Sequence, residues 1–276
     1  MKKFICKATA SPLDDRDWDA SDIYKNIVND IEFDLRPSLR PIRDQGGQGT
    51  CAAHVASCMK EWQEKKDYNF NDYMSPQFIY NNRQNQDTDG MFGRDVMQIM
   101  YKIGSVEELN YKYGKIEPVA DISADYFTQA LNHKIKAYAQ VNNINTLKQA
   151  LKINGPCYIS FPVYNNSTKL WKQRGDEVVL GGHAMTVVGY TPVGFIIRNT
   201  WGVNWGDGGY CIYDYLEWGA HWEVWTTIDE TSYFNSSDNY EDGEYDSDSE
   251  FESSIEEVRN VSLCEKISIF FRRQLV

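Results

Sequence analysis

Apolar and polar positions follow two different periods along the chain, and the change falls near Pro156. From Cys51 onward, Val55, Cys58, Met59 and Trp62 recur at threes and fours, which predicts a helix with Lys60 to Lys66 on its solvated face. Ser75-Pro76 reads as an N-cap followed by proline at the first helical position, so a second helix starts there. Gly93 to Tyr101, with Val96, Ile99 and Met100 on one face, predicts a third helix stopped by Gly104. Thr146 to Ile153 predicts a fourth, ended by Gly155-Pro156, while residues 105–140 show no period that places them. Beyond Pro156 the chain turns β-rich at Cys157–Val163, Ala184–Tyr190, Gly194–Asn199, Gly208–Tyr213 and Val224–Ile228. Helices first and strands second predict an α+β fold of two units rather than an alternating α/β one.

The flanks differ from this body. Residues 1–30 are polar and irregular around Pro12 and Asp14-Asp15-Arg16-Asp17-Trp18, and read as an extended arm. The Arg-Pro steps within residues 31–44 disfavour helix and lead into the turn at Gln45. The division expected is an arm over 1–30, a helical unit over 31–140, a β-rich unit over 141–229 and a tail over 230–276. That tail holds twelve Asp/Glu against four Lys/Arg, so −8 of the net charge of −12 belongs to it. Its Ser/Asp/Glu/Asn-rich composition predicts disorder. A nearly neutral body has no basic nucleic-acid footprint, and no apolar run approaches a membrane span. Six scattered cysteines, with no CxxC and no clustered histidines, support neither a zinc site nor a redox motif, and no cofactor or metal is expected. The N-terminus lacks an apolar stretch of signal-peptide length, so an intracellular or virion-associated protein is expected.

Candidate chemistry gathers where the glycine-rich run Gln45-Gly46-Gly47-Gln48-Gly49-Thr50 meets the first helix at Cys51. A thiolate at a helix start is stabilised by unpaired amides and the helix dipole, and Gln45 supplies a nearby amide donor. A nucleophilic cysteine needs a base and a group to orient it. His54 lies about one turn beyond Cys51 and reads as a packed residue, His133 sits in a polar run and reads as solvated, and His221 is expected to pack near a strand start. His183 follows Gly181-Gly182 at the mouth of a buried strand. Asn199, sixteen residues on, ends another apolar strand, and its side-chain oxygen is suited to fixing an imidazole tautomer beneath Trp201.

Together these residues resemble the papain-like cysteine proteases. The family's Gln-to-Cys motif is met by Gln45 and Cys51, its His by Gly182-His183-Ala184, and its Asn-Ser-Trp-Gly-x-x-Trp-Gly motif by Asn199-Thr200-Trp201-Gly202-Val203-Asn204-Trp205-Gly206. The separation of 132 positions from Cys51 to His183 fits the family spacing. The resemblance spans about residues 31–229. It implies two lobes, one helical and one an antiparallel β-barrel-like unit, with the active site between them. It implies catalytic roles for Cys51 as nucleophile, His183 as its proton partner, Asn199 as orienter and Gln45 as oxyanion donor. Trp201 would shield the His183–Asn199 bond, Trp205 would line the leaving-group side, and Ala184 would border the main specificity pocket. The chain departs from the family's secreted members at Gln48, which replaces a disulfide cysteine, and at Ala52, which replaces an aromatic. Asp89 to Asp95 stands where those members have a Cys-Gly-Gly segment, leaving Gly90 and Met91 (with Phe92) as subsite candidates. These departures point to disulfide-poor microbial and viral branches. The arm resembles a short pro-like segment that covers part of the cleft.

The reading is a cysteine endopeptidase acting on protein or peptide substrates through a thioester acyl-enzyme. The alternatives are a catalytically silent papain-fold scaffold or peptide binder, and another acyl transfer such as transpeptidation or aminopeptidase action. Ser247, Ser249, Ser253 and Ser254 in the acidic tail are candidates for phosphorylation or partner contact.

Overall fold

The computed structural model describes residues 5–24 and 27–229, and the acidic tail lies outside the described residues. Among the described residues five α-helices and seven strands are formed: β1 (Phe33–Asp34), α1 (Cys51–Tyr68), α2 (Pro76–Asn81), α3 (Gly93–Lys102), α4 (Ala124–Ala130), β2 (Ala137–Gln140), α5 (Ile144–Asn154), β3 (Cys157–Val163), β4 (Gly181–Tyr190), β5 (Gly194–Arg198), β6 (Tyr210–Asp214) and β7 (Glu223–Ile228). The helices form where the period of three and four expects them, and the capping chemistry holds. Ser75 Oγ accepts from Phe78 N–H at the start of α2 with Pro76 in the first turn, and Asn143 caps α5 through Thr146 N–H. The unplaced stretch before Gln140 contains α4 and the short edge strand β2.

Two of these expectations need correction. Lys60, Glu61 and Glu64 are buried, not solvated, because α1 is enclosed along nearly its whole length. Ala52, Ala53 and Ala56 have little bulk and let the helix lie close to β4, while Lys60 finds counter-charges in Glu64 (2.9 Å) and Asp229. His133, expected in solvent, places Nδ1 3.0 Å from Glu64 Oε1.

The larger correction concerns the β unit. The sheet is open, not barrel-like. Its order is β2-β7-β3-β4-β5-β6, all antiparallel, with β1 adding to the far end of β4, and the end strands β2 and β6 do not pair. The edge that closure requires is taken by the N-terminal arm: Asp19 bridges Gln140 of β2, and Gln140 N–H donates to Trp18 O at 2.8 Å. At the other end, β6 alternates buried and exposed residues, the mark of a strand with one wet face.

The interior strands serve two cores, one on each face. Cys157, Ile159, Phe161, Met185 and Val187 pack with α5 and with Ala20 and Tyr24 of the arm. Tyr158, Ala184 and Trp225 face α1 and α3. The period of two along β3 and β4 thus sends His183 to one face and Ala184 to the other, at the end of the sheet nearest the start of α1.

Candidate active site

Cys51 is the first residue of α1 and is fully buried. Its N-cap, Thr50, makes no side-chain cap, since the Thr50 hydroxyl pairs instead with Tyr113 Oη at 2.8 Å. Tyr113 in turn donates to Gln45 O at 2.6 Å, which ties the glycine-rich turn to the helix start. Opposite, Thr200 holds Gln45 twice: Thr200 O accepts from Gln45 N–H at 2.8 Å, and the Thr200 hydroxyl donates to Gln45 Oε1 at 2.6 Å. With its oxygen engaged, the Gln45 amide turns its N–H groups toward Gln48 O (2.9 Å) and Ile5 O (3.4 Å).

His183 Nε2 lies 2.7 Å from Asn199 Oδ1, and the same oxygen accepts from Thr200 N–H at 2.7 Å. An amide oxygen only accepts, so Nε2 carries the proton and Nδ1 of the neutral ring keeps its lone pair. Nδ1 has no hydrogen-bond partner among the described residues. Trp201 stacks on the imidazole with centroids 4.2 Å apart, and Trp205 meets Trp201 edge-on at 5.8 Å. The His183–Asn199 bond is thus sealed from water by aromatic surface.

The sequence-derived candidates Cys51, His183, Asn199, Gln45, Trp201, Trp205 and Ala184 therefore converge on one place, where α1 begins and β4 begins. The Ala184 N–H reaches the Cys51 thiol. Gly90 and Met91 flank the same groove from the loop before α3, but what they touch is the arm. Met91 O accepts from Thr9 N–H at 3.1 Å, and Lys7 O lies where a side chain on Gly90 would stand, 1.6 Å from a built Cβ. Gly90 also has φ +88°, so glycine is needed there twice over. His54 packs edge-on against Tyr113 with Nδ1 3.0 Å from Thr50 O, and His221 sits beside Tyr213 and Trp218.

Three features of this site were not anticipated residue by residue. The arm crosses Cys51: the backbone of Lys7 and Ala8 lies at its thiol, and Ala8 N–H donates to Gly182 O at 2.9 Å. Gly182 contributes a carbonyl, a role that no side-chain pattern announces. Arg94 anchors the arm further along, donating to Asp17 (Nε, 2.8 Å) and Pro12 O (2.6 Å), while its own N–H donates to Ser11 Oγ at 2.9 Å.

Electrostatics follow from this cover. Burial pushes the Cys51 thiol up, against the N–H groups of Ala184, Ala52, Lys7 and Ala8 that favour the thiolate. Burial pushes the His183 imidazole down to about 4, with the Asn199 bond opposing. Both shifts favour the neutral forms. Among the described residues no group of His, Cys, Asp and Glu is arranged to hold a metal, and no helix is long and apolar enough to cross a membrane.

Comparison with known proteins agrees with this geometry. Residues 30–222 match the family described as papain family cysteine protease. The chain is 27% identical over 220 residues to an uncharacterized peptidase C1-like protein of Acanthamoeba polyphaga mimivirus, covering 69% of this chain and 70% of that one. It is 26% identical over 196 residues to the viral cathepsin of Adoxophyes honmai nucleopolyhedrovirus, covering 68% of this chain and 58% of the relative. Among solved structures, xylellain, a cysteine protease from Xylella fastidiosa, superposes with a TM-score of 0.70 at 24% identity, over 83% of this chain and 97% of that one. The five cysteines among the described residues are all free, as in disulfide-poor viral and microbial members. With most of its length matched by the family pattern and its fold shared, the chain belongs to the papain family of cysteine proteases and is a cysteine-type peptidase.

Proposed function

We propose that Cys51 is the nucleophile of this peptidase and that His183 takes its proton through Nδ1 and returns it to the leaving amine. Asn199 holds the ring in the required tautomer. Gln45 Nε2, with the Cys51 N–H, stabilises the oxyanion of the tetrahedral intermediate, and the thioester formed on Cys51 is then hydrolysed. The observation that carries this reading is the 2.7 Å contact from His183 Nε2 to Asn199 Oδ1 beneath Trp201, which leaves the Nδ1 lone pair as the ring's one available acceptor.

Residues 5–22 act as an inhibitory strap. Their backbone at Lys7 and Ala8 lies over Cys51 and stands between the sulfur and a substrate. Ile5 O takes up a Gln45 amide proton meant for the oxyanion. The strap and the buried, neutral Cys51–His183 pair are one device: release of the arm readmits water and allows the thiolate–imidazolium pair to form.

The substrate is a protein or peptide. Mass analysis of the products from capped and uncapped peptides tests this reading, with internal cleavage of the capped peptide expected. Cys51→Ala should abolish cleavage, and His183→Ala should lower kcat by about 10²–10⁴-fold. Cleavage that survives Cys51→Ala would overturn the assignment.

A further inference from the structure

The start of the arm is fixed at several points around Cys51. Ile5 O accepts from Gln45 Nε2 at 3.4 Å, and Ala8 N–H donates to Gly182 O at 2.9 Å. Between them, a Cβ built on Gly181 would come within 2.2 Å of Cys6 O and 3.3 Å of Cys6 Cβ. One built on Gly49 would come within 3.0 Å of Lys7 Cβ. Gln45 and Gly49 belong to the turn that runs into Cys51, and Gly181 and Gly182 lead into His183. Cys6 is therefore held beside the Cys51–His183 pair, one residue from the backbone that lies at the Cys51 thiol. Its side chain packs on the core cluster that contains Trp201 and Trp205.

The two thiols feel each other's charge. Burial pushes Cys6 up to about 12, and the nearby Cys51 pushes it in the same direction. The other described cysteines stand elsewhere. Cys58 is seven residues along α1, about 10 Å away by the helix rise. Cys157 lies in β3 on the α5 side of the sheet, and Cys211 lies in the end strand β6. All three are buried, whereas Cys6 is half-buried and within reach of solvent. A steric cover needs only the backbone of this stretch, so a thiol at this place adds chemistry.

We propose that Cys6 is a resolving thiol for Cys51: a peroxide oxidises the nucleophile, and Cys6 closes a disulfide with it that locks the arm over the site. This rests on the reading of Cys51 as nucleophile and residues 5–22 as strap. When the arm lifts, the Cys51 thiolate attacks the peroxide. An S–O bond forms, the O–O bond breaks, and the second oxygen leaves as water with the proton held by His183. When the arm returns, the Cys6 sulfur attacks the sulfenic sulfur. The S–S bond forms, the S–O bond breaks, and the Cys6 proton leaves with the hydroxyl as water. One peroxide takes two electrons, and two thiols become one disulfide. Such a bond needs Cα atoms about 4.4–6.8 Å apart, and Cys6 is one peptide step, about 3.8 Å, from Lys7. Adjustment within the arm is enough to form it. A dithiol reopens it, so the active site is closed under oxidation and recovered on reduction.

The test treats the reduced full chain with excess hydrogen peroxide, blocks remaining thiols with N-ethylmaleimide before unfolding, and maps peptides by mass without reduction. The Cys6 and Cys51 peptides should appear joined. Cleavage of a capped peptide should fall at least about tenfold on oxidation and return to within about twofold after dithiothreitol. In Cys6→Ser, oxidation should remove activity as fully, but dithiothreitol should restore less than about a tenth of it, with Cys51 found as sulfinic acid. Absence of the joined peptide, a disulfide from Cys51 to any other cysteine, or full recovery of Cys6→Ser overturns the resolving role and leaves the peptidase reading intact. Failure of the nucleophile assignment is seen separately, as cleavage that survives Cys51→Ala.

Discussion

At the residue scale the site is controlled by where protons sit. Asn199 Oδ1, fixed by Thr200 N–H, accepts from Nε2 of His183, and the remaining nitrogen is the one suited to take a proton from a thiol. Burial under the arm opposes charge on either partner, and His183 is pushed down to about 4 from an ordinary value of 6.5. The folded state thus binds fewer protons at this ring than the unfolded state between pH 6.5 and 4. The stability that the neutral ring contributes is fully present above 6.5 and is lost as pH falls toward 4. Histidine NMR signals followed by pH in the full chain should show His183 titrating near 4, and near or above 6.5 once the arm is loosened; a midpoint near 6.5 with the arm intact would contradict the buried, neutral pair. Gln45, Cys51, His183 and Asn199 were legible in the sequence because their spacing and neighbours are set locally. Gly182 and Thr200 were not, because the first contributes only a carbonyl and the second acts by holding Gln45 from 155 positions away.

At the scale of elements, α1 shows how periodicity misleads. Reading Lys60 to Lys66 as a wet face assumes that polar means exposed, and that fails where a helix is enclosed and its charges are paired. Lys60 has 3% side-chain exposure, lies 2.9 Å from Glu64 and also contacts Asp229 and Lys134 O. Removing the cation leaves Glu64 and Asp229 without the lysine they share. Lys60→Met should therefore destabilise the protein by about 3 kcal/mol, read from urea unfolding. A change within about 0.5 kcal/mol, as for ordinary surface substitutions, would show the cluster to be solvated after all. Strands β3 to β7 were legible from β-branched and aromatic runs, but β1, β2 and the open edge of the sheet were not. Which strand covers the edge of β2 depends on the path of residues 18–19, and alternation within β2 carries no information about that partner.

For the whole molecule, the central claim is that one segment sets both fold and activity. The arm completes a sheet edge at Asp19, buries Ala20 and Tyr24 in the core, and lies over Cys51 further toward its start. Its composition announced an extended arm, but its contacts arise only once α1, β4 and the loop before α3 are assembled. The Arg94–Asp17 ion pair, with 12% and 10% side-chain exposure, is the contact whose loss should open the site most directly. The measurement that tests this is the rate of Cys51 alkylation by iodoacetamide from pH 4 to 9, read by peptide mapping, in the full chain, in Asp17→Asn and in Asp17→Asn with His183→Ala. Labelling should be slow in the unaltered chain and rise only above neutral pH. It should be faster in Asp17→Asn and persist well below pH 7, and that low-pH labelling should be lost when His183 is removed. Identical profiles in the first two proteins, or low-pH labelling indifferent to His183, would contradict the central claim.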